Sequence, residues 1–301
     1  MSRTQHARTS YSGVGVRVRL GRILKDDKAV IFAFDHGLED GPKDFLPDRI
    51  SARNILQHVV EAGVDAVMLL PGMARLTNDI WANKVPLVIK LTGKTDMRPE
   101  SSIYLQSRVA TVEDAVAIGA DAVAATVYWG SEHEDQMVAN WLAIKEEAEV
   151  YGMPVLHMAY PRGSHIKNWY DPEIVMYGVR AAIEVGADLI KTYYTGSRDT
   201  FARVVQMAQG VPVLMSGGPP RDTPYDFLVD VSNVMAAGGS GTVVGRNVFR
   251  ASDIKAMAKA VMAVVHEGMS PEDAVKRYGL PGGLGKPSAL VTAESRSTDR
   301  H

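Results

Sequence analysis

Glu184-Val-Gly-Ala-Asp-Leu-Ile-Lys191 is the stretch whose reading decides the fold. A helical segment runs into a glycine, and a short apolar run follows. The pattern returns as Glu61-Ala-Gly-Val-Asp-Ala-Val-Met-Leu-Leu70, as Ala117-Ile-Gly-Ala-Asp-Ala-Val-Ala-Ala-Thr126 and as Ala236-Ala-Gly-Gly-Ser-Gly-Thr-Val-Val-Gly245. Glycine adopts the left-handed conformation that closes a helix. A continuous apolar run suits a strand buried on both faces, as parallel sheets require. A second version opens with proline, which fits at the start of a strand: Val85-Pro-Leu-Val-Ile-Lys-Leu91, Met153-Pro-Val-Leu-His-Met-Ala159 and Val211-Pro-Val-Leu-Met-Ser216.

With residues 29–34 these runs predict eight strands, near 29–34, 64–70, 85–91, 121–127, 153–159, 187–193, 211–216 and 241–245. Helical segments separate most of them, among them 53–62, 137–151, 172–185 and 224–237, with a closing helix over 253–266 and a short extra one over 270–278. Eight alternating β/α units define an α/β protein with a single (β/α)8 TIM barrel. The rival is a doubly wound open sheet. It usually has fewer strands, often with a glycine-rich phosphate turn after the first, whereas here the first strand leads into Asp35-His36-Gly37.

We expect a catalytic barrel over 15–280, a flexible or interface-forming arm over 1–14 and a loose tail over 281–301. The chain has no cysteine, which removes disulfides, zinc–thiolate sites and cysteine nucleophiles. A net charge of −2 provides no field for nucleic acid or an anionic membrane. No apolar run reaches the roughly 20 residues of a membrane span, and the polar, basic N-terminus has no secretory h-region. A cytoplasmic enzyme without cofactor is the expectation.

Barrel chemistry sits at the C-terminal ends of the strands. Two lysines fall there, Lys191 on the sixth strand and Lys90 on the third, and spacing does not rank them. A lysine inside a barrel strand loses hydration, which favours the neutral amine that attacks a carbonyl. The bland alternative is an ion-paired lysine, and Lys90 also suits a substrate oxygen. Asp35 and His36 follow the first strand, where an acid holds a hydroxyl or shuttles a proton, unless it merely caps a turn. Tyr160 ends the fifth strand as a proton carrier or an aromatic plug, and Arg162 follows it, placed to meet an anion. Ser216-Gly217-Gly218 follows strand seven and Gly245-Arg246 follows strand eight, where barrels commonly hold a phosphate on backbone N–H groups. The histidines are scattered and no cluster has metal-ligand spacing, so no metal is expected.

These residues resemble the archaeal-type class I fructose-bisphosphate aldolases and their relatives over about residues 20–266. The resemblance rests on Phe34-Asp-His-Gly-Leu-Glu39 with Gly41-Pro42, Leu87-Val-Ile-Lys-Leu-Thr-Gly-Lys-Thr95, Tyr160-Pro-Arg-Gly163, Gly186-Ala-Asp-Leu-Ile-Lys191 with Tyr194-Thr-Gly196, Val213-Leu-Met-Ser-Gly-Gly-Pro219 and Gly245-Arg-Asn-Val248. It implies that Lys191 forms the Schiff base, Tyr160 is the general acid/base and Asp35 contacts substrate. It also implies that the two glycine turns hold a sugar phosphate, that no metal is needed, and that the chain forms a homo-oligomer built from pentamers. The sequence departs from the aldolase pattern at Met158 (tryptophan in the family), Tyr193 (lysine) and Asp40 (histidine). The stretch 164–173 is more similar to relatives that make an aminodideoxyheptulosonate by transaldol chemistry. A Schiff-base transferase and a barrel that binds sugar phosphate without turnover are the alternative readings.

Overall fold

The computed structural model describes residues 13–45 and 51–281. The expected arm and tail lie outside the described residues except at their inner ends. Eight parallel strands close into a barrel: β1 Ala29–Phe34, β2 Ala66–Leu69, β3 Leu87–Lys90, β4 Ala122–Trp129, β5 Val155–Pro161, β6 Leu189–Thr192, β7 Val213–Ser216 and β8 Gly241–Val244. Each strand pairs with its sequence neighbours, and β1 closes on β8 with Ala29 opposite Gly241. The predicted barrel is therefore the observed one. Nearly every strand residue is buried, because helices cover the outside and side chains fill the inside.

Helix boundaries follow from capping chemistry. Ser51 starts Ala52–Ala62 by accepting from the Asn54 N–H, and Gly63 ends it at φ 84°. Asp171 caps Pro172–Glu184, Thr223 caps Pro224–Ala236, and Ser270 caps Pro271–Tyr278. In each of these three the first helical residue is proline, whose missing N–H would have had no helical partner. A helix that the sequence reading did not predict, Val14–Ile23, precedes β1 and buries Val16, Leu20 and Ile23.

The repeat quoted above has a structural explanation in its aspartate. Asp65 donates its backbone N–H to the Val30 carbonyl at 3.0 Å and accepts the Val30 N–H on Oδ2 at 2.7 Å. Asp121 makes the same reciprocal pair with Leu87, and Asp188 with Val155. The feet of β2, β4 and β6 are thereby strapped to those of β1, β3 and β5. A cation balances each carboxylate: Lys25 at Asp65, Arg22 at Asp121, and Lys145 at Asp188; the His266 Nε2 also lies 2.7 Å from Asp65. In the fourth repeat Ser240 pairs through its backbone with β7 and β1.

Candidate active site

At the opposite end, the barrel mouth divides into two halves. On the β1–β3 side, Asp35 follows β1 and Lys90 ends β3. The Lys90 Nζ lies 2.6 Å from Asp35 Oδ2 and 2.6 Å from Glu39 Oε1, with the residue 2% exposed. Burial alone would favour the neutral amine, but the two carboxylates overrule it and hold Lys90 well above the ordinary lysine range. Burial likewise opposes ionisation of Asp35. The adjacent Lys90 ammonium prevails, and its carboxyl lies well below the usual range. Gln106 closes this network. Its Nε2 donates to both Glu39 oxygens at 3.1 Å and to the Tyr128 hydroxyl at 2.7 Å. Burial, and then the Glu39 charge, pushes the Tyr128 phenol up, so it stays protonated.

On the β5–β8 side, Lys191 on β6 is 6% exposed. Among the described residues no carboxylate lies within ion-pair distance of its Nζ. The nitrogen stands 5.9 Å from the centre of the Tyr160 ring. Register brings this about: Met158 on β5 pairs with Lys191, so Tyr160 lies two residues further toward the mouth on the same face. The Tyr160 hydroxyl donates to Ser216 Oγ at 3.2 Å, across to the end of β7. Tyr193 stacks on the Tyr160 ring with centroids 4.7 Å apart, and the Arg162 Nε donates to the Tyr193 hydroxyl. The geometry ranks the two lysines that spacing left level. The Lys90 amine is engaged by two carboxylates, and the Lys191 amine faces the mouth without one.

The two glycine turns meet between β7 and β8. Gly217 donates its N–H to the Val243 carbonyl at 3.2 Å. A Cβ at Gly245 would lie 2.2 Å from the His36 ring and 2.7 Å from the Ala33 carbonyl, so only glycine fits there. Asn247 clips the turns together, donating to the carbonyls of Gly217 at 2.8 Å and Pro219 at 3.0 Å and accepting the Arg221 N–H at 2.8 Å. Gly218 completes the β7 turn at φ 65°. Arg246 lies 3.6 Å from Asp44, which also meets Arg250 at 3.3 Å. His36 packs edge-on against Phe249, and burial pushes its imidazole down to about 4 despite the Asp35 charge.

The structure thus brings the predicted residues Lys191, Tyr160, Ser216, Gly217, Gly218, Gly245, Arg246, Asp35, His36, Lys90 and Arg162 to one rim. Sequence reading gave no role to Gln106 or Tyr128, whose partners are distant in the chain, and passed over Asn247 although it stands in the quoted Gly-Arg-Asn turn. Among the described residues no group of three or more His, Cys, Asp or Glu is placed to hold a metal ion, and no helix is long and apolar enough to cross a membrane.

Comparison with known proteins gives the following. A family model described as DeoC/LacD family aldolase matches residues 29–251. A class 1 fructose-bisphosphate aldolase of Thermoproteus tenax is 41% identical over 243 residues, 80% of this chain and 90% of its own. A 2-amino-3,7-dideoxy-D-threo-hept-6-ulosonate synthase of Halobacterium salinarum is 38% identical over 268 residues, 88% of this chain and 97% of its own. A solved archaeal fructose-1,6-bisphosphate aldolase, its catalytic lysine covalently bound to the carbinolamine intermediate, superposes with TM-score 0.77 at 38% identity, covering 83% of this chain and 99% of that one.

Proposed function

The chain belongs to the DeoC/LacD family of aldolases, and from that premise we propose that it cleaves and forms fructose 1,6-bisphosphate through a Schiff base on Lys191. The observation that carries this reading is the contrast between the lysines: Lys191 faces the mouth beside Tyr160 with no carboxylate, while Lys90 is a fixed ammonium.

The Lys191 amine attacks the C2 ketone, and loss of water from the carbinolamine leaves an iminium. A proton leaves the C4 hydroxyl, the C3–C4 bond breaks, and its electron pair enters the iminium to give an enamine. Glyceraldehyde 3-phosphate departs. Protonation at C3 and hydrolysis then release dihydroxyacetone phosphate. Tyr160 carries these protons, with Ser216 as its hydrogen-bond partner. Asp35, kept ionised by Lys90, accepts from a substrate hydroxyl. Lys90 therefore acts through Asp35, and His36 lines the same wall as a neutral imidazole. The turns at Ser216, Gly217 and Gly218 and at Gly245 and Arg246 hold the phosphate next to the ketone, and Arg162 contributes a cation for a substrate anion.

Reduction with borohydride in the presence of fructose 1,6-bisphosphate, followed by peptide mapping, tests the proposal. The expected adduct is on Lys191. No adduct would leave a barrel that binds sugar phosphate without turnover, and an adduct on Lys90 would reverse the ranking. A second reading, a Schiff-base transferase, is favoured by the similarity to the heptulosonate synthase and by Met158, Tyr193 and Asp40 at the mouth. It requires a second acceptor, so triose phosphates formed from fructose 1,6-bisphosphate alone decide between the two. By the same family resemblance we place the chain in the cytoplasm as a homo-oligomer, which light scattering measures directly.

A further inference from the structure

The hydrogen-bonded network on the β1–β3 side has one member that opens to solvent. Asp35, Lys90, Gln106 and Tyr128 are buried, whereas the Glu39 side chain is 15% exposed. Both of its donors are buried, so they hold it from the inner side. Oε1 accepts from Lys90 at 2.6 Å, and the Gln106 Nε2 sits astride both oxygens at 3.1 Å. Among the described residues no other donor reaches Oε2. A carboxylate has about four acceptor sites on its two oxygens, so Glu39 keeps acceptor capacity toward the mouth. The amide that holds it is itself fixed. One Nε2 hydrogen goes to Glu39 and the other to the Tyr128 hydroxyl at 2.7 Å. Turned over, the amide would set its carbonyl oxygen against the carboxylate. Tyr128 is secured by its strand: it pairs with Tyr160 in the β4–β5 register and so faces the mouth at the same level. Gln106 comes from the excursion after β3, whose arms pair Thr92 with Arg108 and Gly93 with Ser107. A carboxylate held in one place with a lone pair open is set to accept a hydroxyl.

In the aldolase reading the ketone carbon is bound to Lys191 on β6 and the C4 hydroxyl gives its proton to Tyr160 on β5. The hydroxyls left for the opposite wall are those on C3 and C5. Asp35 follows β1, which pairs with β8 and so lies next to the phosphate turns, at the C3 end of the chain. Glu39 reaches past it to Lys90 at the end of β3 and to the Gln106–Tyr128 pair over β4. Asp35 Oδ2 and Glu39 Oε1 share the Lys90 Nζ at 2.6 Å each. The two acceptors are therefore no further apart than two hydrogen bonds laid end to end, the span of two hydroxyls on one short carbon chain. We propose that Glu39 accepts the C5 hydroxyl, the one beside the aldehyde carbon of the half that leaves or enters, and that Gln106, anchored by Tyr128, is its positioning residue. The mouth then selects 2-hydroxyaldehydes over aldehydes that lack the hydroxyl. This rests on the aldolase reading and deepens it to the acceptor that the site takes.

The test runs the reaction toward condensation, with dihydroxyacetone phosphate and either glyceraldehyde 3-phosphate or 3-oxopropyl phosphate, which keeps the phosphate and lacks the hydroxyl. Wild type should prefer the hydroxylated aldehyde in kcat/KM by at least about 30-fold, because the analogue leaves a site built for a hydroxyl unpaired. Glu39→Gln should reduce that preference by about 10- to 30-fold, as expected when a charged hydrogen bond is lost. Gln106→Leu, which frees the carboxylate to move, should reduce it by about 3- to 10-fold. Losses that travel through Lys90 and Asp35 fall on both aldehydes and cancel in the ratio, so a merely structural role leaves the preference where it was. Circular dichroism checks the fold of each variant. Equal use of the two aldehydes by wild type, which needs no variant, overturns the proposal, and so does a preference unchanged in Glu39→Gln. Calorimetry separates this failure from failure of the aldolase reading. Wild type should bind glyceraldehyde 3-phosphate at least about fivefold tighter than 3-oxopropyl phosphate, and Glu39→Gln should erase the difference. A difference so erased, without a borohydride adduct on Lys191, keeps the hydroxyl acceptor and rejects the aldolase chemistry. An adduct on Lys191 with equal binding of the two aldehydes keeps the chemistry and rejects the acceptor.

Discussion

The two halves of the barrel mouth hold the same residue type in opposite electrical settings. Around Lys90, two carboxylates, an amide and a phenol form a network that leaves the ammonium no freedom. Around Lys191 there are an aromatic ring and a hydroxyl beyond it, and no described carboxylate within ion-pair distance. A buried amine next to carboxylates is a fixed charge that orients its neighbours. A buried amine without them is available as a nucleophile. Role follows from the partners that the fold supplies, so two lysines at strand ends of one barrel do different work.

The largest effect that would break this comparison is at Lys191. Lys191→Met should remove the trapped adduct and lower kcat by at least about 10⁴-fold, and Tyr160→Phe by about 10²- to 10³-fold with the adduct still forming. An adduct that survives in Lys191→Met would end the contrast. Lys90→Met should leave the adduct on Lys191 and act on stability, besides the activity it loses through Asp35. It strands the buried Asp35 and the half-buried Glu39, and a loss of about 3–5 kcal/mol should appear in urea unfolding.

Acid sharpens the comparison further. His157 lies between Trp129 and Trp141, fully buried, with neither ring nitrogen hydrogen-bonded, and burial pushes it down to about 3. With His36 it takes up a proton on unfolding near pH 6.5 that the folded chain refuses until about 3–4. The unfolded state therefore binds more protons in that window, and stability should fall as pH drops below about 6.5. The Asp35 contribution has another window. Its folded pKa is depressed, so its stabilisation is complete above the ordinary carboxylate value of 3.8 and is lost only as pH falls below it. His157→Phe should flatten the urea midpoint between pH 6.5 and 4, and an unchanged slope would discard this account. The smallest effect belongs to Asn247→Ala. Loosening the clip between the glycine turns should raise KM about tenfold with little change in kcat.

Strand positions were legible because buried parallel strands are apolar runs, and because glycine or proline marks where each begins. The site's membership was legible for a related reason: a barrel confines chemistry to strand ends, so polar residues there stand out against an apolar pattern. The ranking of Lys90 against Lys191 was not legible. Glu39 meets Lys90, and Gln106 meets Glu39, only because a four-residue helix, His36–Glu39, and the excursion after β3 fold back over the mouth. No local pattern encodes that meeting. The helix Val14–Ile23 escaped because it contributes one narrow apolar stripe, Val16, Leu20 and Ile23, within a basic polar segment.

The aspartate straps at the strand feet make the barrel modular. Three adjacent strand pairs are each locked by a two-point clasp at the end remote from the chemistry, so alignment within a pair does not depend on what decorates the rim. The joints between pairs are natural seams for recombination, where one quarter of the barrel could be exchanged for a relative's while its clasp travels with it. Met158, Tyr193 and Asp40 lie beyond the reach of those clasps, at the end where a new preference can be written without re-registering a single strand.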